Sequence, residues 1–148
     1  MNCLADSNIW LRLSEPTHSM YPTAVRGVAT LLSRQNEIYL VPQVITEYWR
    51  VVTGASTARG SFGWTPERTH REVQQLEADF PLLPDTPAVY QHWRHIVYTI
   101  GVSGAQVYDA RLVAAMLAHG LTHILTFNTD DFRRYEHLGI LLLHPQDV

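Results

Sequence analysis

The chain reads as an α/β protein with a central parallel β-sheet covered by helices on both faces. Three observations lead there. Short apolar runs alternate with stretches of helical periodicity along the length of the chain, the pattern of strands joined by helical crossovers. Proline and glycine stand where those helices begin and end. The 148 residues are 46% hydrophobic and 17% charged, enough apolar material for one packed domain over residues 1–148. No linker-like tract, charge block or repeat divides it.

Asn2 to Ala5 is a short apolar strand entering a turn at Asp6-Ser7-Asn8, after which Ile9 to Leu13 suit a short helix or extended turn. Pro22-Thr23 opens a helix to about Ser33, with Val25, Val28, Ala29 and Leu32 on one face. Ile38 to Val41 is a strand, and Pro42 starts a helix from Gln43 to Thr53 that Gly54 stops. The small residues of Gly54 to Gly63 read as a mobile loop. Thr65-Pro66 is a cap followed by proline at the first helical position, opening a helix to about Asp79. Phe80 to Leu83 reads as a short strand between prolines, and Pro87 to Ile100 as a helix ended by Gly101. Gln106 to His119 is the clearest helix, with Gly120 as its stop. His123 to Thr126 is a strand, Asp130 to Tyr135 one or two helical turns, and Ile140 to Leu143 the last strand.

Several function classes drop out. No apolar run reaches the roughly 18 residues of a membrane span, and Met1 to Asp6 lacks the features of a signal peptide, so a cytoplasmic protein with no membrane partner is expected. A single cysteine, Cys3, excludes an intrachain disulfide and a thiolate zinc site. His92 and His95 share a helical spacing but have no evident third ligand. The net charge of −3 argues against binding nucleic acid by a strongly basic surface alone. All 11 basic residues are arginine, a good fork for phosphate oxygens, although base composition accounts for the bias equally well.

Against this background, four polar positions stand out. Asp6 lies just beyond the first strand, and in parallel sheets ligands bind outside the carboxyl ends of the strands. Asn8 is placed to steady it, while an Asx turn or helix cap explains Asp6 as well. Glu47 falls among Val44, Tyr48 and Val51 on the apolar face of its helix, where a carboxylate needs a cation or a partner such as Arg50. Asp109 precedes Leu112, Val113 and Met116 on an inward face; the helix dipole also favours a carboxylate in the first turn, but a dipole partner has no need of the apolar face. Finally, Thr126-Phe127-Asn128-Thr129-Asp130-Asp131 carries a strand into an acidic turn.

Taken in order and spacing, the Asp6-x-Asn8 turn, the Glu of Ile45-Thr46-Glu47, the run Tyr108 to Ala115 and Thr126-x-Asn128-x-x-Asp131-Phe132 resemble the PIN domain. They resemble most its small VapC-type toxins of bacterial toxin–antitoxin pairs. The resemblance covers nearly the entire chain and implies a PIN-like fold and an Mg²⁺- or Mn²⁺-dependent endoribonuclease. It implies an acidic triad of Asp6, Glu47 and Asp109. Many relatives carry an aspartate where this chain has Asn128, so Asp131 is expected to supply the fourth charge with Asn128 in support. It also implies a cognate antitoxin and a homodimer.

The chemistry suits these residue types. Phosphodiester hydrolysis needs an ion that acidifies a water and neutralises charge on the phosphoryl oxygens. Mg²⁺ takes oxygen ligands and keeps several waters, so a few carboxylates suffice. Asp6 and Asp109 are the expected direct ligands, with Glu47 and Asp131 completing the site. Arg12, Arg50 and Arg111 are candidates for phosphate contact, and Trp64 for stacking or partner contact. Two other classes remain. One is a metal-dependent phosphohydrolase of small phosphoesters, although Asn8 stands where a nucleophilic Asp-x-Asp pair needs its second acid. The other is a noncatalytic nucleic-acid-binding protein, although such a chain has no need of three inward carboxylates.

Overall fold

The computed structural model describes Met1–Val148. Its centre is a four-stranded sheet in the order β2-β1-β3-β4, formed by β1 (Asn2–Ala5), β2 (Glu37–Tyr39), β3 (His123–Leu125) and β4 (Leu141–Leu143), all parallel. Around it run α1 (Ser7–Leu13), α2 (Tyr21–Ser33), α3 (Pro42–Thr53), α4 (Pro66–Asp79), α5 (Pro87–Ile100), α6 (Gln106–His119) and α7 (Thr129–Phe132). Two 3₁₀ turns, Arg133–Leu138 and Pro145–Asp147, complete the chain. No helix is long and apolar enough to cross a membrane.

The central strand shows why the sheet needs cover on both sides. Side chains alternate between faces along a strand, and Cys3, Leu4 and Ala5 are all fully buried. The register Leu4 opposite Ile124 and Ala5 opposite Leu125 brings β1 and β3 to a common carboxyl end. The pairing runs one residue further, because the Asp6 amide donates to the Leu125 carbonyl at 2.9 Å. Trp10 in α1 is buried and its indole N–H donates to the Ala5 carbonyl at 3.3 Å, fixing the turn out of β1.

Local signals act as anticipated at several element ends. The Thr65 hydroxyl accepts from the Arg68 amide at 3.2 Å, and Gly101 and Gly120 close α5 and α6 at φ 77° and 70°. That left-handed conformation costs glycine little.

Three local expectations change. Phe80 to Leu83 forms a single bridge, Leu82 beside Leu40, with no strand. Leu83 donates to the Leu40 carbonyl and Leu40 to that of Pro81, each at 2.8 Å. Pro81 and Pro84 have no N–H with which to extend a ladder. The inward face of α2 is Ala24, Gly27, Val28 and Leu31, leaving Val25 and Leu32 exposed. Gly27 sets that rotation, since a β-carbon there would stand 3.0 Å from Pro145. Gly54 to Gly63 is tied back to α3, with Phe62 donating to Val51 at 3.4 Å, Gly63 to Gly54 at 2.9 Å and Trp64 to Val52 at 2.8 Å.

Candidate acidic site and family membership

The candidate site lies at the carboxyl ends of β1 and β3, where a parallel sheet places ligands. Asp6 is 7% exposed and caps α1, its Oδ1 accepting from the Ser7 amide at 2.7 Å. Its Oδ2 accepts from the Thr126 hydroxyl at 2.8 Å and from Asn8 Nδ2 at 3.2 Å. Asn8 also donates to Thr126 Oγ1 at 3.0 Å and accepts from the Phe127 amide at 3.2 Å. These bonds lock one rotamer of Asp6 and join the ends of the two strands.

Glu47 projects from α3 and is half-buried. No ion pair holds it. Its Oε2 accepts from Ser7 Oγ at 3.0 Å and its Oε1 from Gln43 Nε2 at 2.8 Å. Gln43 is 8% exposed, donates also to the Tyr108 carbonyl at 2.8 Å, and accepts from Arg111 Nη1 at 3.1 Å. One amide thereby ties Glu47 to the first turn of α6, where Asp109 stands.

Asp109 differs from both. It is half-buried, and its carboxylate receives no hydrogen bond from the protein. Burial pushes its pKa from 3.8 to about 6, and the charges of Asp6, Asp131 and Glu47 push the same way. Burial likewise raises Asp6 to about 6, opposed by the Thr126 hydrogen bond and reinforced by Glu47. Asp131 is exposed, whereas the neighbouring Asp130 is paired with Arg133 at 2.7 Å. Asn128 is also exposed, and its backbone N–H, rather than its side chain, binds Thr126 Oγ1 at 3.0 Å.

The donors are oxygens throughout, which suits a hard divalent cation. No three acidic or histidine side chains close into a protein cage. Mg²⁺ does not need one, because it is usually held by one or two carboxylates and retains water.

Of the three arginine candidates, Arg50 and Arg111 line the 810 Å³ cleft beside Ser7, Gln43 and Glu47. Arg111 also pairs with Asp85 at 3.2 Å. Arg12 pairs with Glu15 at 2.9 Å and is not part of that lining. Trp64 packs edge-on against Tyr48 and Phe62, with the Arg68 guanidinium 4.0 Å from its ring centroid, so the ring is engaged within the fold.

Sequence reasoning did not single out Gln43 or Thr126 for the site. The available signal for Gln43 was its position four residues before Glu47, one helical turn away. For Thr126 it was a hydroxyl closing an apolar strand, and the residue is fully buried.

Comparison with known proteins places this architecture. No curated protein sequence matches the chain. Among solved structures, VapBC-1 from nontypeable Haemophilus influenzae is 15% identical with a TM-score of 0.68, covering 98% of each chain. FitAcB from Neisseria gonorrhoeae is 21% identical with a TM-score of 0.64, covering 99% of each. Mycobacterium tuberculosis VapC20, described as a sarcin-ricin loop cleaving toxin, is 17% identical with a TM-score of 0.64, covering 94% of this chain and 96% of its own. At these identities the likeness is one of fold. A family model described as PIN domain matches residues 3–138, from the first strand through the acidic turn and the 3₁₀ turn beyond it. With a family model matched over residues 3–138 of 148 and the fold shared with these structures, the chain belongs to the PIN domain family.

Proposed function

We propose that the chain is a divalent-metal-dependent endoribonuclease and the toxin of a toxin–antitoxin pair. The observation that carries the reading is Asp109, a half-buried carboxylate without a protein donor, under the charges of Asp6, Glu47 and Asp131. A fold does not keep such a group for stability, because it is costly to bury unpaired. Family membership adds support, as does the VapC20 neighbour named for cleaving the sarcin-ricin loop.

In this reading Asp6 and Asp109 hold Mg²⁺ or Mn²⁺, and Glu47 and Asp131 complete the site. A bound ion supplies Lewis-acid polarisation of the phosphate and a water that ionises near neutral pH. Ser7, Asn8 and Thr126 fix the Asp6 carboxylate, so it need not reorganise on binding. Gln43 and Ser7 hold both oxygens of Glu47, leaving lone pairs to accept from the attacking water. Arg50 and Arg111 contact phosphate oxygens along the cleft. A cognate antitoxin and a second copy of the chain are the protein partners. The neighbours solved as VapBC and toxin–antitoxin complexes support the first of these.

The test is incubation of purified protein with total cellular RNA, with and without Mg²⁺ or Mn²⁺, alongside Asp6→Asn and Asp109→Asn. Discrete metal-dependent fragments, absent in both variants, are expected. Turnover of p-nitrophenyl phosphate with RNA left intact would instead make the protein a small-phosphoester hydrolase.

A further inference from the structure

Three surface hollows run together away from the carboxylates. The first, of 810 Å³, lies beside Glu47 and includes Asp85, Tyr108 and Arg111 in its wall. The second, of 290 Å³, shares Asp85 and Arg111 and adds Tyr90 and Trp93. The third, of 490 Å³, shares Tyr90 and continues along α5 through Arg94, His95 and Tyr98.

Tyr90, Arg94 and Tyr98 recur every fourth residue and so share one face of α5. Tyr90 is 58% exposed and Tyr98 87%, far more than a phenol ring needs to keep its hydroxyl wet. The base of the ridge is rigid: the Trp93 indole N–H donates to the Val107 carbonyl at 2.9 Å, and its ring lies 6.2 Å from that of Tyr90.

The charge along this path is cationic. Neither Arg50 nor Arg94 pairs with a carboxylate. Beyond Glu47 the one acid in the walls is Asp85, already paired with Arg111. α5 itself contains no aspartate or glutamate. A second copy packed on this face would set Arg94 and His95 against the same residues, with Asp85, already paired with Arg111, as the acid beside them. An anionic, base-bearing strand meets complementary groups, guanidinium for phosphate and exposed rings for bases.

We propose that the groove from Arg111 over Tyr90 to Tyr98 is the track for the single-stranded RNA flanking the scissile bond. This rests on the nuclease reading of the carboxylates. The eight-residue step from Tyr90 to Tyr98 on a helix spans about 12 Å. At about 3.4 Å per stacked nucleotide, that accommodates three or four nucleotides.

The experiment is fluorescence anisotropy in EDTA, which prevents turnover, with a labelled single-stranded RNA about 10 nucleotides long, within the usual range of single-strand sites. Loss of one stacking ring in Tyr98→Ala weakens binding about 5- to 100-fold, and Tyr98→Phe restores it. Arg94→Ala lowers the slope of log affinity against log salt by about 0.7, one phosphate contact on a single strand. Wild-type affinity in both alanine variants, equal binding of a duplex, or no RNA binding by any form would overturn the track. So would a Tyr98→Ala protein that sediments as a smaller species, because the ridge would then be a protein interface. The two readings fail separately. Weakened binding by Tyr98→Ala with no cleavage by any form sinks the nuclease and leaves the track. Metal-dependent cleavage with unaltered binding by the variants does the reverse.

Discussion

The Thr126 hydroxyl donates to Asp6 Oδ2 at 2.8 Å, linking residues 120 positions apart at the ends of two adjacent strands. The same oxygen accepts from Asn8 and from the Asn128 amide, so one buried hydroxyl organises the floor of the site. Thr126→Val preserves shape and removes that oxygen. Because the hydrogen bond favours the ionised form of Asp6, its loss moves the acidic limb of the pH–cleavage profile to higher pH. Folding stability falls by about 1–3 kcal/mol for the donors left without a partner. Thr126→Ser keeps the profile in place, which separates loss of the hydroxyl from loss of packing.

Asp109→Asn abolishes cleavage while stabilising the metal-free protein at neutral pH. The carboxyl is at about 6 in the fold against 3.8 ordinarily, so the fold binds this proton more tightly than the unfolded chain does. Its favourable contribution is complete below pH 3.8 and is lost as pH rises through about 6. At pH 7 the variant is more stable than wild type by about 1 kcal/mol, allowing for partial solvent screening of a half-buried group. Near pH 4 the difference closes. Thermal melts of the two proteins in EDTA at both pH values measure it, and an equal gap at both would refute the electrostatic account.

Mg²⁺ or Mn²⁺ raises the melting temperature at pH 7 and has little effect near pH 4. Binding to the folded state stabilises by mass action, and the ligands must first lose protons that Asp6 and Asp109 hold to about 6. Asp6→Asn removes the shift at pH 7. A shift that survives in Asp6→Asn places the ion elsewhere.

Gln43→Leu, similar in volume but without the amide, frees Glu47 Oε1, the Tyr108 carbonyl and one Arg111 donor together. Stability falls by about 1–2 kcal/mol. Cleavage falls about tenfold, mainly in kcat, because a loosened Glu47 no longer meets the water in one geometry. A change confined to KM would instead assign Gln43 to substrate binding through Arg111.

Much of this architecture is written locally. β1 to β4 lie where short apolar runs stand, and the caps at Thr65, Gly101 and Gly120 follow from single residues. Asp6, Glu47 and Asp109 are conspicuous because each interrupts an apolar pattern. What escapes is written in distant contacts. The rotation of α2 depends on Gly27 meeting Pro145, which helical periodicity does not encode. Gln43 looks like an ordinary polar residue at the start of a helix until α6 closes over it. The apolar run at Phe80 to Leu83 resembles a strand, but Pro81 within it and Pro84 after it limit it to one bridge.

The first strand made is one of the two inner ones. β1 finds its neighbours only when residues 37–39 and then 123–125 have been synthesised, and the acidic turn follows later still. Such long-range parallel pairing is slow to form. An emerging chain therefore carries Asp6 long before Thr126 can meet it. The acidic site is thus assembled late, after most of the chain has left the ribosome.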